Sequence, residues 1–135
     1  MERPLDAEIF ETEINTMWFE ESGILCSIEK PVTLTVENFS TAFAVMQRIT
    51  KGKRFCLMND LQTVSAPDKE VRDLITRLML TAVIAQALIT PSMFSKMIAN
   101  IYLALKKQPF PIRMFNTERE ARVWLKQFLE KTNAK

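Results

Sequence analysis

The segment over residues 109–129, PFPIRMFNTEREARVWLKQFL, constrains the fold more than any other stretch of this chain. Its first part, Phe110 to Phe115, is mostly apolar and has the length of a buried strand. Thr117 and Glu120 follow with the T-x-x-E spacing of a helix capping box. Apolar residues then recur at the three-and-four spacing of one helix face, at Ala121, Trp124, Leu125, Phe128 and Leu129. The segment therefore predicts a strand followed by an amphipathic helix, a unit typical of α/β domains.

The same alternation runs through the rest of the chain. Strands are predicted over 13–20, 24–29, 54–59, 82–89 and 110–115, and helices over 35–50, 65–78, 91–107 and from 117 onward. Segment 82–89 could also continue the preceding helix, but the regular alternation favours a strand. The order β-β-α-β-α-β-α-β-α predicts an α/β fold. Its mixed, mostly parallel sheet has about five strands with flanking helices, in a single domain over 1–135.

For two of the strands, the sequence also predicts a position in the sheet. Segment 54–59 is apolar without polar alternation, which predicts a central strand covered on both faces. The first strand is rich in polar side chains, with Glu11, Glu13, Asn15 and Thr16 in or beside it. We therefore expect that strand at an edge of the sheet, where acidic side chains discourage aggregation.

Charge is unevenly distributed along the chain. Residues 1–47 contain nine acids and two bases, a net charge of −7, whereas residues 48–135 contain seven acids and sixteen bases, a net charge of +9. This asymmetry is consistent with an anionic partner, with complementary self-association, or simply with solvated helix faces. The basic group Arg48, Lys51, Lys53 and Arg54 surrounds a predicted helix C-terminus, where cations are favoured. We therefore expect no nucleic-acid partner.

The residues that most enzymes use are largely missing. The chain has no histidine, which excludes Ser-His-Asp and Cys-His catalytic sets. Two isolated cysteines cannot form a zinc site, and no phosphate-binding glycine motif is present. Asp60, Asp68 and Asp73 could share a cleft, but end-of-strand hydrogen bonding, helix capping and surface solvation explain them more simply. The sequence thus predicts a non-enzymatic protein without a metal or another cofactor.

Composition also suggests where the protein works. Cys26 and Cys56 lie inside apolar strand segments and are expected to be buried free thiols. The N-terminus MERPLDAE lacks the pattern of a secretory signal. The longest apolar stretch, Leu78 to Ile89, is too short to span a membrane. We therefore expect a cytoplasmic protein without a membrane span.

The predicted helix over 91–107 provides a candidate apolar pocket. Phe94, Met97, Ile98 and Ile101 share one face of that helix. Methionine adapts to irregular partners, so this face could border a groove for a lipid-like ligand or a partner helix. Ordinary core packing is the alternative explanation.

The C-terminal part of the chain resembles a known superfamily. The resemblance is carried by Pro91-Ser92-Met93-Phe94-Ser95-Lys96, Ile98-Ala99-Asn100, Pro109 to Phe115, Thr117-Glu118, Ala121 and Trp124-Leu125. These residues resemble the SpoIIAA-like, or STAS-like, superfamily of small bacterial cytoplasmic domains, and in particular a branch of uncharacterised proteins. The resemblance implies a SpoIIAA-like α/β fold and a regulatory or protein-interaction function.

The superfamily also suggests a candidate switch. In its anti-sigma-factor antagonists, a serine that follows an aspartate after a central strand is phosphorylated to control partner binding. The corresponding loop here contains Asp60, Thr63 and Ser65 but lacks the adjacent aspartate-serine pair. Ser65 is also explained as a helix cap. These three residues are the candidate phospho-switch or partner loop.

Two hypotheses about function follow. The first is a protein-interaction module that binds a protein partner or a second copy of itself as a homodimer. It would use the loop near Ser65 or the edge strand over 9–19. The second is a domain that binds a small apolar ligand beside Met97 and Ile101.

Overall fold

One six-stranded sheet organises the molecule. The computed structural model describes residues 1–61, 67–90 and 108–133. The strands are β1 (Phe10–Glu11), β2 (Asn15–Phe19), β3 (Ile24–Glu29), β4 (Phe55–Asp60), β5 (Val83–Ile89) and β6 (Ile112–Phe115). They lie side by side in chain order. The pairs β1–β2 and β2–β3 are antiparallel, and the three later pairs are parallel.

Three helices flank the sheet in the described residues: α1 (Val36–Ile49), α2 (Lys69–Ala82) and α3 (Glu118–Asn133). Helix α1 begins with a reciprocal cap. The Thr35 hydroxyl accepts a hydrogen bond from the Asn38 N–H at 3.0 Å, and Asn38 Oδ1 accepts one from the Thr35 N–H at 2.8 Å. The chain leaves α1 through Gly52, whose φ of 73° suits a residue without a Cβ. Local residues therefore define both ends of this helix.

Side-chain alternation gives the sheet two different faces. One face carries Met17, Leu25 and Leu57, and helices α1 and α2 pack on it. We call it the cavity face, after a cavity that lies between it and these helices. The opposite face, which we call the Trp18 face, is covered by α3; its strand residues include Trp18, Cys26, Cys56, Met58 and Phe115. Every residue of β4 is buried because both faces of this strand are covered.

A β-bulge in β5 changes which residues share a face. Phe55 pairs with Val83, but the next residue of β4, Cys56, pairs with Ala85. The extra residue, Ile84, shifts the alternation by one position. Val83 and Gln86 therefore both lie on the cavity face, although strict alternation would separate them.

The predicted fold class is confirmed, with one strand more than expected. The additional strand is β1, which has two residues and pairs with β2. Segment 82–89 forms a strand as predicted, and the predicted bounds of β3 agree at both ends. The predicted central strand is β4, and both cysteines are free and buried. The helix predicted over 91–107 lies outside the described residues.

Three local predictions were wrong. The first predicted strand, β2, is not at the edge, because β1 pairs with its outer side. Asn15 is fully buried, and its hydrogen bond to Ser27 on the neighbouring strand offsets the cost of that burial. Helix α2 begins at Lys69 rather than near residue 65 and continues to Ala82, where β5 follows directly. The last strand begins at Ile112, two residues later than predicted.

Candidate functional site

A line of polar side chains crosses the cavity face where a sheet normally buries apolar residues. Its members are Asn15 on β2, Ser27 and Glu29 on β3, Asn59 on β4 and Gln86 on β5. We call these five residues the polar band. Asn15 and Ser27 are fully buried, and Glu29 and Gln86 are half-buried. Buried polar groups are costly unless they are hydrogen-bonded, so the pairing within the band determines whether it is stable.

Hydrogen bonds run along the polar band from both ends towards Glu29. On one side, Asn15 Nδ2 donates to Ser27 Oγ at 2.9 Å, and Ser27 Oγ donates to Glu29 Oε1 at 2.7 Å. On the other side, Gln86 Nε2 donates to Asn59 Oδ1 at 2.7 Å, and Asn59 Nδ2 donates to Glu29 Oε1 at 2.7 Å. One oxygen of Glu29 thus accepts two hydrogen bonds, one from its own strand and one from β4.

The surroundings of Glu29 oppose its ionisation. Burial raises the pKa of the Glu29 carboxyl above its ordinary value, and the nearby charge of Asp60 adds to this increase. The hydrogen bonds from Ser27 and Asn59 act in the opposite direction, but their effect is smaller than that of burial. Perturbed carboxyl groups beside cavities are candidates for functional sites.

The polar band borders a cavity of about 190 Å³. Its apolar wall comes from both helices of this face and from neighbouring strands, and includes Ile14, Phe39, Met46, Ile75, Met79 and Leu88. Four band residues, Asn15, Glu29, Asn59 and Gln86, also line the cavity, together with Lys30. An apolar cavity with a few convergent polar groups is the usual form of a small-molecule site.

Asp60 lies apart from this cavity. It follows Asn59 on β4, so the alternation of the strand directs it to the Trp18 face. Its Oδ2 accepts a hydrogen bond from the amino group of Met1 at 2.6 Å, and the residue is buried. Thr63 and Ser65, its predicted companions, lie outside the described residues, so the candidate phospho-switch remains a prediction.

The cavity residues differ from those expected from sequence. Phe94, Met97, Ile98 and Ile101 lie outside the described residues, and the pocket predicted on them remains a prediction. Sequence reasoning did not identify the polar band as a site, although a signal was present. A polar residue interrupts each apolar strand segment: Ser27 in ILCSIE, Asn59 in FCLMND and Gln86 in VIAQALI.

A second surface feature lies between β6 and α3. This groove of about 310 Å³ is lined by Arg113, Phe115, Arg119, Glu120, Val123, Trp124 and Gln127. The guanidinium carbon of Arg113 lies 5.3 Å from the centre of the Phe115 ring. Val123 is 63% exposed, which is unusual for a large aliphatic residue. The groove therefore combines exposed apolar area with positive charge.

The cysteines are poor nucleophiles in this structure. Burial raises the pKa of Cys26 to about 12 and that of Cys56 to about 11, so neither forms a thiolate near neutral pH. Within residues 1–61, 67–90 and 108–133, no three potential ligand side chains cluster to hold a metal ion. Over the same ranges, no helix has both the length and the apolar character needed to cross a bilayer.

The sheet order and flanking helices define an α/β domain with a SpoIIAA-like fold. An uncharacterized protein from the DUF3478 family with this fold, from Shewanella loihica PV-4, matches the structure with a TM-score of 0.54. The match covers 93% of this chain and 98% of that chain at 13% sequence identity. At this identity the likeness shows the fold alone, and it confirms the fold implied by the sequence resemblance.

The chain belongs to the family described as Domain of unknown function (DUF7793), which matches residues 17–129. A protein with unknown function from Arthrobacter sp. FB24 is 21% identical, over 92% of this chain and 96% of that one. Its TM-score of 0.28 is too low to inform the fold. No curated protein matches the chain.

Proposed function

We propose that this domain is a non-enzymatic binding protein that holds a small, mainly apolar ligand in the cavity beside the polar band. The observation that carries the proposal is the cavity itself, where an apolar wall meets the half-buried Glu29 carboxyl. A structural core would normally fill such a space with side chains, because protein interiors are close-packed.

The size of the cavity indicates the size of the ligand. Drug-sized ligands occupy pockets of at least about 300 Å³, whereas this cavity is about 190 Å³. An engineered apolar cavity of about 150 Å³ binds benzene. The ligand is therefore a fragment-sized molecule or one end of a longer chain.

The chemistry of the described residues supports binding rather than catalysis. The two thiols are held in the protonated form by burial, and the chain contains no histidine to act as a base near neutral pH. The proposal includes a cytoplasmic location, which two free cysteines support because thiols persist in reducing compartments.

An NMR titration with hexanol tests the proposal. We expect amide shift changes at cavity-lining positions such as Ile75 and Leu88, and none around Val123 on the other side of the sheet. Leu88→Phe should narrow the cavity and weaken the response, whereas Val123→Phe places the same side chain at an exposed site and should preserve it. Absence of shifts at the cavity in the wild-type protein would refute ligand binding there.

A second candidate function is protein interaction, favoured by the groove between β6 and α3. Its occupant in this proposal is a second copy of the chain, forming a homodimer. The groove presents Arg113 and Arg119, and residues 1–47 of another copy carry a net charge of −7. Opposite charge steers association, and exposed apolar area stabilises the contact.

Light scattering after size-exclusion chromatography tests self-association. We expect a dimer at low salt that dissociates as salt rises, because screening weakens contacts between exposed charges. Arg119→Glu should abolish the dimer, whereas Lys69→Glu reverses a charge on the exposed surface of α2 and should not. A monomer at every salt and protein concentration would rule out this candidate.

A further inference from the structure

The direction of the hydrogen bonds in the polar band leaves particular oxygen atoms available for a ligand. Glu29 Oε1 accepts from Ser27 and Asn59, but Glu29 Oε2 has no partner among the described residues. Gln86 donates its Nε2 to Asn59, which leaves its side-chain oxygen without a described partner. The band therefore offers the cavity two oxygen atoms, one of them from a carboxyl group.

The Glu29 carboxylate also lacks a positively charged partner among the described residues. Among these residues, Glu29 and Lys30 are the ionisable ones that line the cavity. The Lys30 ammonium is already engaged, because it lies 2.8 Å from Glu11 Oε2 and donates to the Thr12 carbonyl oxygen at 2.7 Å. No described cation pairs with Glu29. An ionised carboxylate beside an apolar wall is costly unless a cation accompanies it.

We infer that the ligand carries a primary amine, whose ammonium group binds Glu29 Oε2 while its apolar chain lies against Phe39, Ile75 and Met79. This inference rests on the proposed ligand-binding function and specifies the class of ligand. An ammonium group has three N–H donors and no acceptor. It therefore matches the carboxylate oxygen of Glu29, and it supplies a positive charge that no described residue provides there.

The electrostatic environment of Glu29 agrees with this assignment. The raised pKa of Glu29 shows that the described surroundings do not compensate its negative charge. A bound ammonium would favour the charged form of the carboxyl group, since an opposite charge within a few ångströms stabilises it. Charge-assisted hydrogen bonds are roughly twice as strong as neutral ones, so the amine should distinguish this ligand from neutral analogues.

Three probes with the same six-carbon chain test the head group: hexylamine, hexanol and hexanoate. Their affinities would be measured by NMR titration at constant pH and salt with the full chain. We expect hexylamine to bind about tenfold more tightly than hexanol, a difference typical of one charged hydrogen bond. Hexanoate should bind most weakly, because its charge repels Glu29.

Glu29→Gln provides the matched variant, because it keeps the shape and the Oε1 acceptor but removes the charge. Its affinity for hexylamine should fall about tenfold, while its affinity for hexanol stays within about twofold. Glu37→Gln, at an exposed position on α1, is the charge control and should change neither affinity.

The outcomes separate the two proposals. Equal binding of hexylamine and hexanol, or tighter binding of hexanoate, would overturn the amine assignment and leave ligand binding intact. Hexylamine binding that survives in Glu29→Gln would overturn the role of Glu29. Failure of all three probes to bind the wild-type protein would refute the proposed ligand-binding function itself.

Discussion

The two faces of the sheet are built differently from the same strands. On the Trp18 face, α3 packs aromatic and aliphatic side chains against the sheet, and Trp124 lies 5.6 Å from Phe115 and 4.8 Å from Phe128, measured between ring centres. On the cavity face, a polar band and a cavity of about 190 Å³ interrupt the apolar core. Even within β4, Met58 packs in the apolar core of the Trp18 face, whereas the next residue, Asn59, belongs to the polar band of the cavity face.

From this difference we expect one face to contribute more to stability and the other to be available for function. Close-packed apolar contacts stabilise a fold. A hydrogen-bonded polar band contributes less, because its bonds replace bonds to water. The Trp18 face should therefore dominate stability, and the cavity face should tolerate changes that alter binding. The predictions below test this contrast.

The largest expected effect is a loss of stability, and it should differ between two leucine substitutions on opposite faces. Leu125→Ala on the Trp18 face should lower the free energy of unfolding by about 4 kcal/mol, because Leu125 is fully buried and its removal leaves a cavity. Leu88→Ala at the cavity should lower it by about half as much, since Leu88 already borders open space. Urea denaturation measures both values, and equal losses would contradict the contrast between the faces.

The polar band should show the next largest effect. Asn59→Ala removes the amide that donates to Glu29 and accepts from Gln86. The half-buried side chains of Glu29 and Gln86 each lose one hydrogen-bond partner. We expect a loss of about 2 kcal/mol in the free energy of unfolding. Asn116→Ala is the control, because Asn116 Oδ1 has no hydrogen-bond partner among the described residues and its loss should be nearly neutral. A neutral Asn59→Ala would mean that the band does not stabilise the fold.

A smaller effect is expected where α3 is joined to the end of β2. Arg122 donates two hydrogen bonds to Glu20, at 2.7 and 2.8 Å. Arg122→Gln should cost about 1 kcal/mol, because bidentate pairs are strong but this one is partly exposed. Lys126→Gln breaks an exposed pair with Glu130 and should be nearly silent in the same denaturation assay. Equal effects would show that the Arg122 pair does not anchor α3.

The smallest effect should be a gain of stability that depends on pH. Because the folded pKa of Glu29 is raised above its ordinary value of 4.5, the folded state binds its proton more tightly than the unfolded state. The stability associated with this group is present below pH 4.5 and is lost as pH rises through the folded pKa. Glu29→Gln removes that loss, so the variant should melt at a higher temperature than the wild type at pH 7.

Thermal melts at pH 4 and pH 7 test whether Glu29→Gln gains stability relative to the wild type as the pH rises. The difference between variant and wild type should be much smaller at pH 4, where Glu29 is mostly protonated in both folded and unfolded states. Asp60 raises the pKa of Glu29 across β4, so Asp60→Asn provides a second measurement and should reduce the difference at pH 7. A variant that melts lower at pH 7 than the wild type would contradict the raised pKa.

Much of the fold could be predicted from sequence because its signals are local. Strand β3 was predicted at both ends, since its alternation begins directly after the turn glycine Gly23, whose φ is 103°. Helix α1 carries its own cap at Thr35. The start of α2 was less predictable, because Asp68 occupies its N-cap position without a side-chain capping bond.

The candidate site could not be predicted in the same way. The sequence predicts that Asn15 lies on an edge strand, but β1 covers part of that edge and Asn15 donates to Ser27. Asn59 and Gln86 are 27 residues apart in the chain, and they meet only through the pairing of β4 with β5. No local pattern encodes that meeting.

The sequence by itself therefore determined the types of the elements, their approximate order and the absence of histidine chemistry. Those properties depend on composition and on the spacing of neighbouring residues. Only the tertiary structure decided that five polar residues converge beside a cavity. Convergence depends on cross-strand register, and here also on the bulge at Ile84, which brings Gln86 to the same face as Asn59. The hydrogen bond from Asn59 to Glu29 forms only once that register is established. The same register places the Glu29 carboxyl in the half-buried position where its pKa is raised.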